Sequence, residues 1–333
     1  MAASVRRALR ISAFPAVVLR SAPVGSAISL GSALIHRSFT VSSCPTIDRL
    51  LIDDGAYFSP VEPTVDLPDP IVVEGILHAR GCPWPRPHVV TTTGSTNADA
   101  LESLKSGADT GLCVVAGEQT AGRGRRGRSW VSDPGAGLWS STVVRGYPRP
   151  ARLPLLASLA VVDAAVQIGG PVVQVKWPND VLADDGRKLA GILVEVAARE
   201  AGVGFTDSAV DGSGVGAVVG IGINMDHAEE SLPAPGATSW RIAHSVVPNR
   251  STLLAELLVA LNKRLTTEWS RSLADYRRWC CTLGTGVVID LPGGDSIEGR
   301  ALDVDDEGHL LVDDGESPRT IVAGDVVHAT IRT

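Results

Sequence analysis

Ten residues starting at Gln119, QTAGRGRRGR, limit most tightly how this chain can fold. Four arginines fall within six residues, spaced by glycines, directly after an apolar run that reads as a strand. The stretch has no hydrophobic period, so it reads as a loop leaving a sheet. Glycine lets a backbone approach a ligand closely, and arginine offers fixed donors for phosphate or carboxylate. Gly122-x-Gly124-x-x-Gly127 formally fits the dinucleotide-binding fingerprint. That reading fails because residues 129–135 do not look helical and no acidic residue follows at the required distance. Two bland readings stand beside a ligand-closing loop: a nucleic-acid-binding RGG-like tract and a solvated basic loop. The chain has 30 basic and 37 acidic side chains, a net charge of -7. That balance argues against a general polyanion binder and favours a small anion as partner.

The 333 residues are enough for more than one core. Residues 1–47 contain no Asp or Glu and five arginines, Arg6, Arg7, Arg10, Arg20 and Arg37. Such a leader resembles an organellar transit peptide, or it is a disordered extension or the product of a misplaced start codon. Residues 48–88 are Pro-rich, with a short helix expected at 71–78 and no room for a three-helix DNA-binding domain. No apolar run is long enough to span a membrane. The five cysteines form no C-x-x-C pair, which reads as free thiols in a reducing compartment.

Regular pattern begins at Val89. Strands are expected at 89–90, 112–116, 138–144, 172–175, 191–196 and 216–223. A helix should start in a capping-box-like Thr96-x-x-Asp99 and stop at Gly107. Leu155, Leu156, Leu159, Val162 and Val166 fall on one helical face ended by Gly169-Gly170. Leu254, Leu257, Leu258, Leu261 and Leu265 mark another helix, with Ser251 or Thr252 as its cap. From Gly284 the pattern shortens to strands at 287–291, 296–304, 309–312 and 319–322, which suggests a small SH3-type barrel.

Three further segments could carry chemistry. Lys176-Trp177-Pro178-Asn179-Asp180 ends a strand; its lysine could meet a phosphate and its Asn and Asp could offer oxygens to Mg2+, or it is an ordinary polar turn. Lys188 stands just before a strand and alone reads as a surface lysine. Gly220-Ile221-Gly222-Ile223-Asn224 places two glycines inside a strand, the mark of a close backbone approach or a bulge, or else of plain packing against a helix. Asn224 could read an adenine edge, because its amide both donates and accepts.

Taken in order, Gly94 to Asn97 (GSTN), the Gly/Arg loop, KWPND, Lys188 to Glu195 (KLAGILVE) and GIGINM resemble the biotin protein ligases, over roughly residues 89–331. The resemblance implies an α+β fold: a central mixed β-sheet flanked by helices, of the class II synthetase-like biotin/lipoate ligase type. It places a catalytic domain at 89–283 and a small C-terminal SH3-like barrel at 284–333. It implies that biotin and MgATP give biotinyl-5′-AMP, and that biotin then passes to a lysine of the biotin carboxyl carrier domain of an acetyl-CoA or related acyl-CoA carboxylase. It implies that Ser95, Thr96, Asn97, Gln119, Gly122, Arg123, Gly124, Arg125 and Lys188 hold biotin. Arg123, Arg125, Arg128, Trp130, Lys176, Asn179, Asp180 and Asn224 would hold ATP or the adenylate, with Asp180 on Mg2+. Lys188, Arg125 and Lys176 would carry the catalytic charge. With no winged-helix segment and an acidic body, the chain looks like the monofunctional type, with no specific nucleic acid and no membrane partner expected. Oligomeric state is not written in these motifs. A cytoplasmic location is expected, or an organellar one if residues 1–47 act as a transit peptide. The rivals are a lipoate ligase or octanoyl transferase of the same fold, and a nucleic-acid binder using the basic loop, which has only Trp130 for base stacking.

Overall fold

A computed structural model describes residues 66–197, 216–291, 294–322 and 325–329, together with four strands nearer the N-terminus. The chain divides into two compact units, Met1–Val65 and Asp66–Thr333. In the first, β1 (Leu19–Arg20), β2 (Ala27–Ile28), β3 (Leu50–Leu51) and β4 (Tyr57–Phe58) pair antiparallel in the order β2-β1-β4-β3. Apart from these pairs, the transit peptide, disordered extension or misplaced start expected at residues 1–47 lies outside the described residues.

The second unit opens with α1 (Pro70–Ala79), longer than expected by one residue at each end. The Asp69 side chain accepts from the amides of Ile71 and Val72, and Pro70 occupies the first helical position, where a missing N–H costs nothing. Val73 and Leu77 are its buried side chains.

Seven strands form the main sheet, in the order β5-β6-β7-β11-β10-β9-β8. They are β5 (His88–Thr93), β6 (Cys113–Gln119), β7 (Gly137–Arg145), β8 (Val173–Lys176), β9 (Asp180–Ala183), β10 (Lys188–Val196) and β11 (Gly216–Asn224). Only β5 and β6 run parallel, and the crossover that a parallel pair requires is α2 (Thr96–Lys105). The sheet is therefore mixed, as the resemblance implied. Alternating side chains separate its two faces. Val114, Val143 and Val218 join Ala100 and Leu104 of α2 in a small cluster. Their neighbours Val115, Val144 and Val219 point the other way, into the large core with α3 (Leu153–Gln167) and α5 (Arg250–Thr266).

Several local expectations change. The Thr96/Asp99 capping box does not form: Ser95 is the N-cap without a side-chain bond, and Thr93 Oγ1 donates to Asp99 Oδ2 at 2.6 Å. Thr96 is instead drawn into the site described below. α3 lies between the sheet and α5, so eleven of its side chains are buried and no single face defines it, while Val166 near its end is exposed. α5 is capped by Asn249, whose Oδ1 accepts from the Thr252 amide at 3.1 Å. Ser251 Oγ accepts from the Asp69 amide at 2.8 Å and so ties α1 to α5. The sequence reading missed β9, α4 (Trp240–His244) and α6 (Trp269–Trp279); α6 is largely polar and buries only Ser272, Leu273 and Tyr276.

The terminal sheet is antiparallel, in the order β15-β14-β13-β12-β16. Its strands are β12 (Gly286–Asp290), β13 (Ser296–Val304), β14 (Leu310–Asp313), β15 (Pro318–Ile321) and β16 (Asp325–Ala329), the last being one more than the sequence suggested. Its Val287, Ile289, Ala301, Val304 and Leu310 share the large core with α3. Trp177 crosses the junction, donating from Nε1 to Gly308 O at 3.0 Å and from its amide to Thr282 Oγ1 at 3.1 Å. Among the described residues no helix is long and apolar enough to cross a membrane.

Candidate active site

The Gly/Arg loop is a tight hairpin. Gly122 O accepts from the Trp130 amide at 2.9 Å, Arg123 pairs antiparallel with Ser129, and Gly124 N donates to Arg128 O at 2.7 Å. Arg128 N donates to Arg125 O at 3.2 Å across a turn whose central residues, Arg126 and Gly127, have φ of 56° and 73°. Two consecutive positive φ values make this a primed hairpin turn, whose twist matches that of its arms.

Beneath the hairpin, against β6, β7, β10 and β11, lies a cavity of about 370 Å³, within the range of small-molecule sites. At one end runs an unbroken polar chain. Gln119 Oε1 accepts from the Thr96 amide at 2.9 Å and lies 3.0 Å from Thr96 Oγ1, while its Nε2 donates to Ser132 Oγ at 2.7 Å. Thr96 Oγ1 lies 2.8 Å from Ser141 Oγ, which donates to Asn97 Oδ1 at 2.6 Å. Asn97 Nδ2 donates to Glu195 Oε2 at 2.8 Å, and Arg123 closes the chain on the same carboxylate at 3.0 Å. Gly220 is what admits Asn97: a Cβ there would sit 2.1 Å from Asn97 Oδ1.

The other end is cationic and aromatic. Lys188 Nζ pairs with Asp180 Oδ1 at 2.7 Å and stands 5.2 Å from the centre of the Trp130 ring. Arg125 Nη1 donates to Asn179 Oδ1 at 2.7 Å. The Trp130 indole lies on Gly191 and Gly222, where added Cβ atoms would come within 2.7 and 2.8 Å of it. Trp139 meets Trp130 edge to face, with centroids 6.2 Å apart. Trp130 Nε1 and Asn224 Oδ1 are buried with no hydrogen-bond partner in the structure, although Asn224 Nδ2 donates to Thr238 O at 3.0 Å. Trp139 Nε1, on another residue lining the cavity, is likewise without a partner, and a buried polar atom left unsatisfied is costly unless a ligand supplies its partner.

Of the expected site residues, Ser95, Thr96, Asn97, Gln119, Arg123, Gly124, Arg125, Arg128, Trp130, Asn179, Asp180, Lys188 and Asn224 line this cavity. Gly122 and Lys176 are not on its wall. Gly122 lets the hairpin arms close, since a Cβ there would sit 2.3 Å from Trp130 O. Lys176 ends β8, half-buried, across the ladder from Asp180. Lys188 is not ahead of its strand but is the first residue of β10. Sequence reasoning overlooked Trp139, Ser141 and Glu195. The available signal was the polar run Ser140-Ser141-Thr142 between Leu138-Trp139 and Val143-Val144 of β7, all three of whose side chains are buried.

Mg2+ has no ready cage here. No group of three His, Cys, Asp or Glu that could hold a metal occurs among the described residues, and the Asp180 carboxylate is already paired with Lys188. Cys113 is fully buried, and burial pushes its thiol up to about 12, far from the thiolate range.

Residues 89–205 match the biotin/lipoate A/B protein ligase family, and residues 282–329 match the biotin protein ligase C terminal domain. Fold and site thus define a ligase of the biotin/lipoate class. Over 264 residues the chain is 40% identical to the biotin--[acetyl-CoA-carboxylase] ligase of Mycobacterium tuberculosis, covering 76% of this chain and 92% of that protein. It is 34% identical over 233 residues to the bifunctional ligase/repressor BirA of Escherichia coli, covering 68% and 67%. The biotin protein ligase from Aquifex aeolicus in complex with biotin and ATP shares the fold, with a TM-score of 0.60 at 24% identity over 73% of this chain and 99% of that one. The chain belongs to the biotin protein ligase family.

Proposed function

We propose that the cavity binds biotin and ATP together, makes biotinyl-5′-AMP, and passes biotin to a lysine of a carboxylase carrier domain. What carries this reading is the division of the cavity. A fixed donor–acceptor chain at Gln119, Thr96, Ser141 and Asn97 suits the neutral ureido ring, with Arg123 neutralised there by Glu195, while Lys188 and Arg125 stand at the other end, where a carboxylate would meet a phosphate. The name of the M. tuberculosis relative points to acetyl-CoA carboxylase as the source of the carrier domain. The C-terminal domain match favours this reading over a lipoate ligase or octanoyl transferase, and the buried Cys113 offers no acyl-enzyme thiol for the latter.

In the first step a biotin carboxylate oxygen attacks the α-phosphorus of ATP, the bond from that phosphorus to pyrophosphate breaks, and pyrophosphate leaves. Two anions must approach, so the site has to supply fixed positive charge more than a strong base. Lys188 stands at the start of β10 for this, held in place by Asp180 and the Trp130 ring, and Arg125 is aimed by Asn179. Trp130 and Asn224 would receive the adenylate, their unsatisfied Nε1 and Oδ1 finding partners there. Mg2+ would arrive with the ATP phosphates, and no step is assigned to Asp180 as its ligand. In the second step the acceptor amine attacks the acyl carbon, the acyl–O bond breaks and AMP leaves. The hairpin keeps water from the anhydride in the interval.

Incubation with MgATP and either biotin or lipoate tests the reading. Pyrophosphate release with biotin and transfer of biotin to a carrier lysine are expected; turnover with lipoate alone would overturn it. Arg125→Ala should weaken the hairpin's hold on the adenylate, so non-carrier proteins in the mixture become labelled at least about tenfold more; unchanged selectivity would remove Arg125 from that role. Deleting residues 1–47 should leave the rate of pyrophosphate release unchanged, because the site lies wholly in the second compact unit.

A further inference from the structure

Arg126 occupies a position that its own backbone disfavours. The first central residue of a primed hairpin turn needs positive φ, which Gly, Asn or Asp supply cheaply and an arginine does not. The Arg126 side chain shows what offsets this. Its guanidinium leaves the hairpin and donates from Nη1 to Asp290 O at 3.3 Å and from Nη2 to Leu291 O at 3.0 Å. Those two carbonyls lie where β12 ends, in the terminal sheet and 164 and 165 residues further along the chain. The cavity-facing arginines of the hairpin, Arg123, Arg125 and Arg128, line the site, whereas Arg126 is absent from its wall. The four arginines therefore divide into three that line the cavity and one that reaches the terminal sheet.

We infer that Arg126 is a positioning residue that tethers the hairpin over the cavity to the terminal sheet, so that the C-terminal domain sets how closed the biotin site is. The inference rests on the functional reading given above. A charged donor on two backbone carbonyls is a stronger link than a neutral one. Losing it lowers the fraction of molecules with the hairpin closed, and apparent affinity falls by that fraction while the chemical step does not.

Arg126→Asn separates the tether from the turn, since asparagine favours positive φ but cannot reach the carbonyls. In the full chain, Arg126→Asn should raise KM for biotin about tenfold with kcat for pyrophosphate release changed less than about twofold. Arg126→Lys should recover part of the loss. Amide hydrogen exchange should quicken both in the hairpin and at residues 286–291. Wild-type KM in Arg126→Asn, or exchange that quickens in the hairpin alone, would overturn the tether. If the wild-type protein makes no biotinyl adenylate, it is the functional reading that fails, and the exchange comparison still decides whether Arg126 couples the two domains.

Discussion

Lys188→Ala should slow biotin-dependent pyrophosphate release about 10²–10³-fold, the scale of losing one preorganised charge at a developing anion. The expected loss lies in the chemical step. Trp130, Asn224 and the arginines stay in place, so ATP binding should change by no more than about threefold. The substitution also leaves Asp180 on the wall without its cation, which turns the local field against the biotin carboxylate as it moves onto the α-phosphorus. Single-turnover release at saturating ATP measures this, with ATP affinity read separately by titration. Normal release from Lys188→Ala would mean that the arginines carry the charge and that Lys188 serves only to seat Trp130.

Gly220→Ala adds one methyl and should be nearly as damaging. Its Cβ would fall 2.1 Å from Asn97 Oδ1, and Asn97 cannot simply swing away because Ser141, Leu193 O and Glu195 hold it. Overpacking of this kind costs about 1–3 kcal/mol, and each 1.4 kcal/mol expressed in binding is about tenfold. Biotin affinity should therefore drop about 10–100-fold, with a lowered melting temperature beside it. Calorimetric titration with biotin, with and without ATP, is the check. Wild-type affinity would place the ureido ring elsewhere than on the Gln119–Asn97 chain.

The sequence made parts of this site legible for reasons that can be named. Gly220 and Gly222 read as places where something comes close to a strand, and the close neighbours are Asn97 and Trp130. The strand-and-turn pattern after Gly284 announced the terminal sheet, and only β16 was missed. What failed were features whose cause is distant. The chain from Gln119 to Glu195 links residues up to 98 positions apart, and no local pattern marks which polar residues will meet. The hairpin of the Gly/Arg loop was invisible because its arms are charged, while hairpin recognition relies on alternating apolar residues around Asn-Gly or Asp-Gly. Asn249 caps α5, while Ser251 lies inside its first turn and accepts from the Asp69 amide, a long-range contact that no local pattern marks.

The junction at Trp177 has a thermodynamic corollary. The terminal sheet does not hang from the catalytic domain as a separable module. Its apolar residues lie in the same core as α3, Trp177 donates across the boundary, and Arg277 and Asp303 join α6 to β13 at 2.7 Å. Structure that shares one core melts together, because neither side keeps a buried interior when the other opens. The 66–333 unit should therefore unfold in a single transition, and damage to the small sheet should be felt as lost stability of the large one.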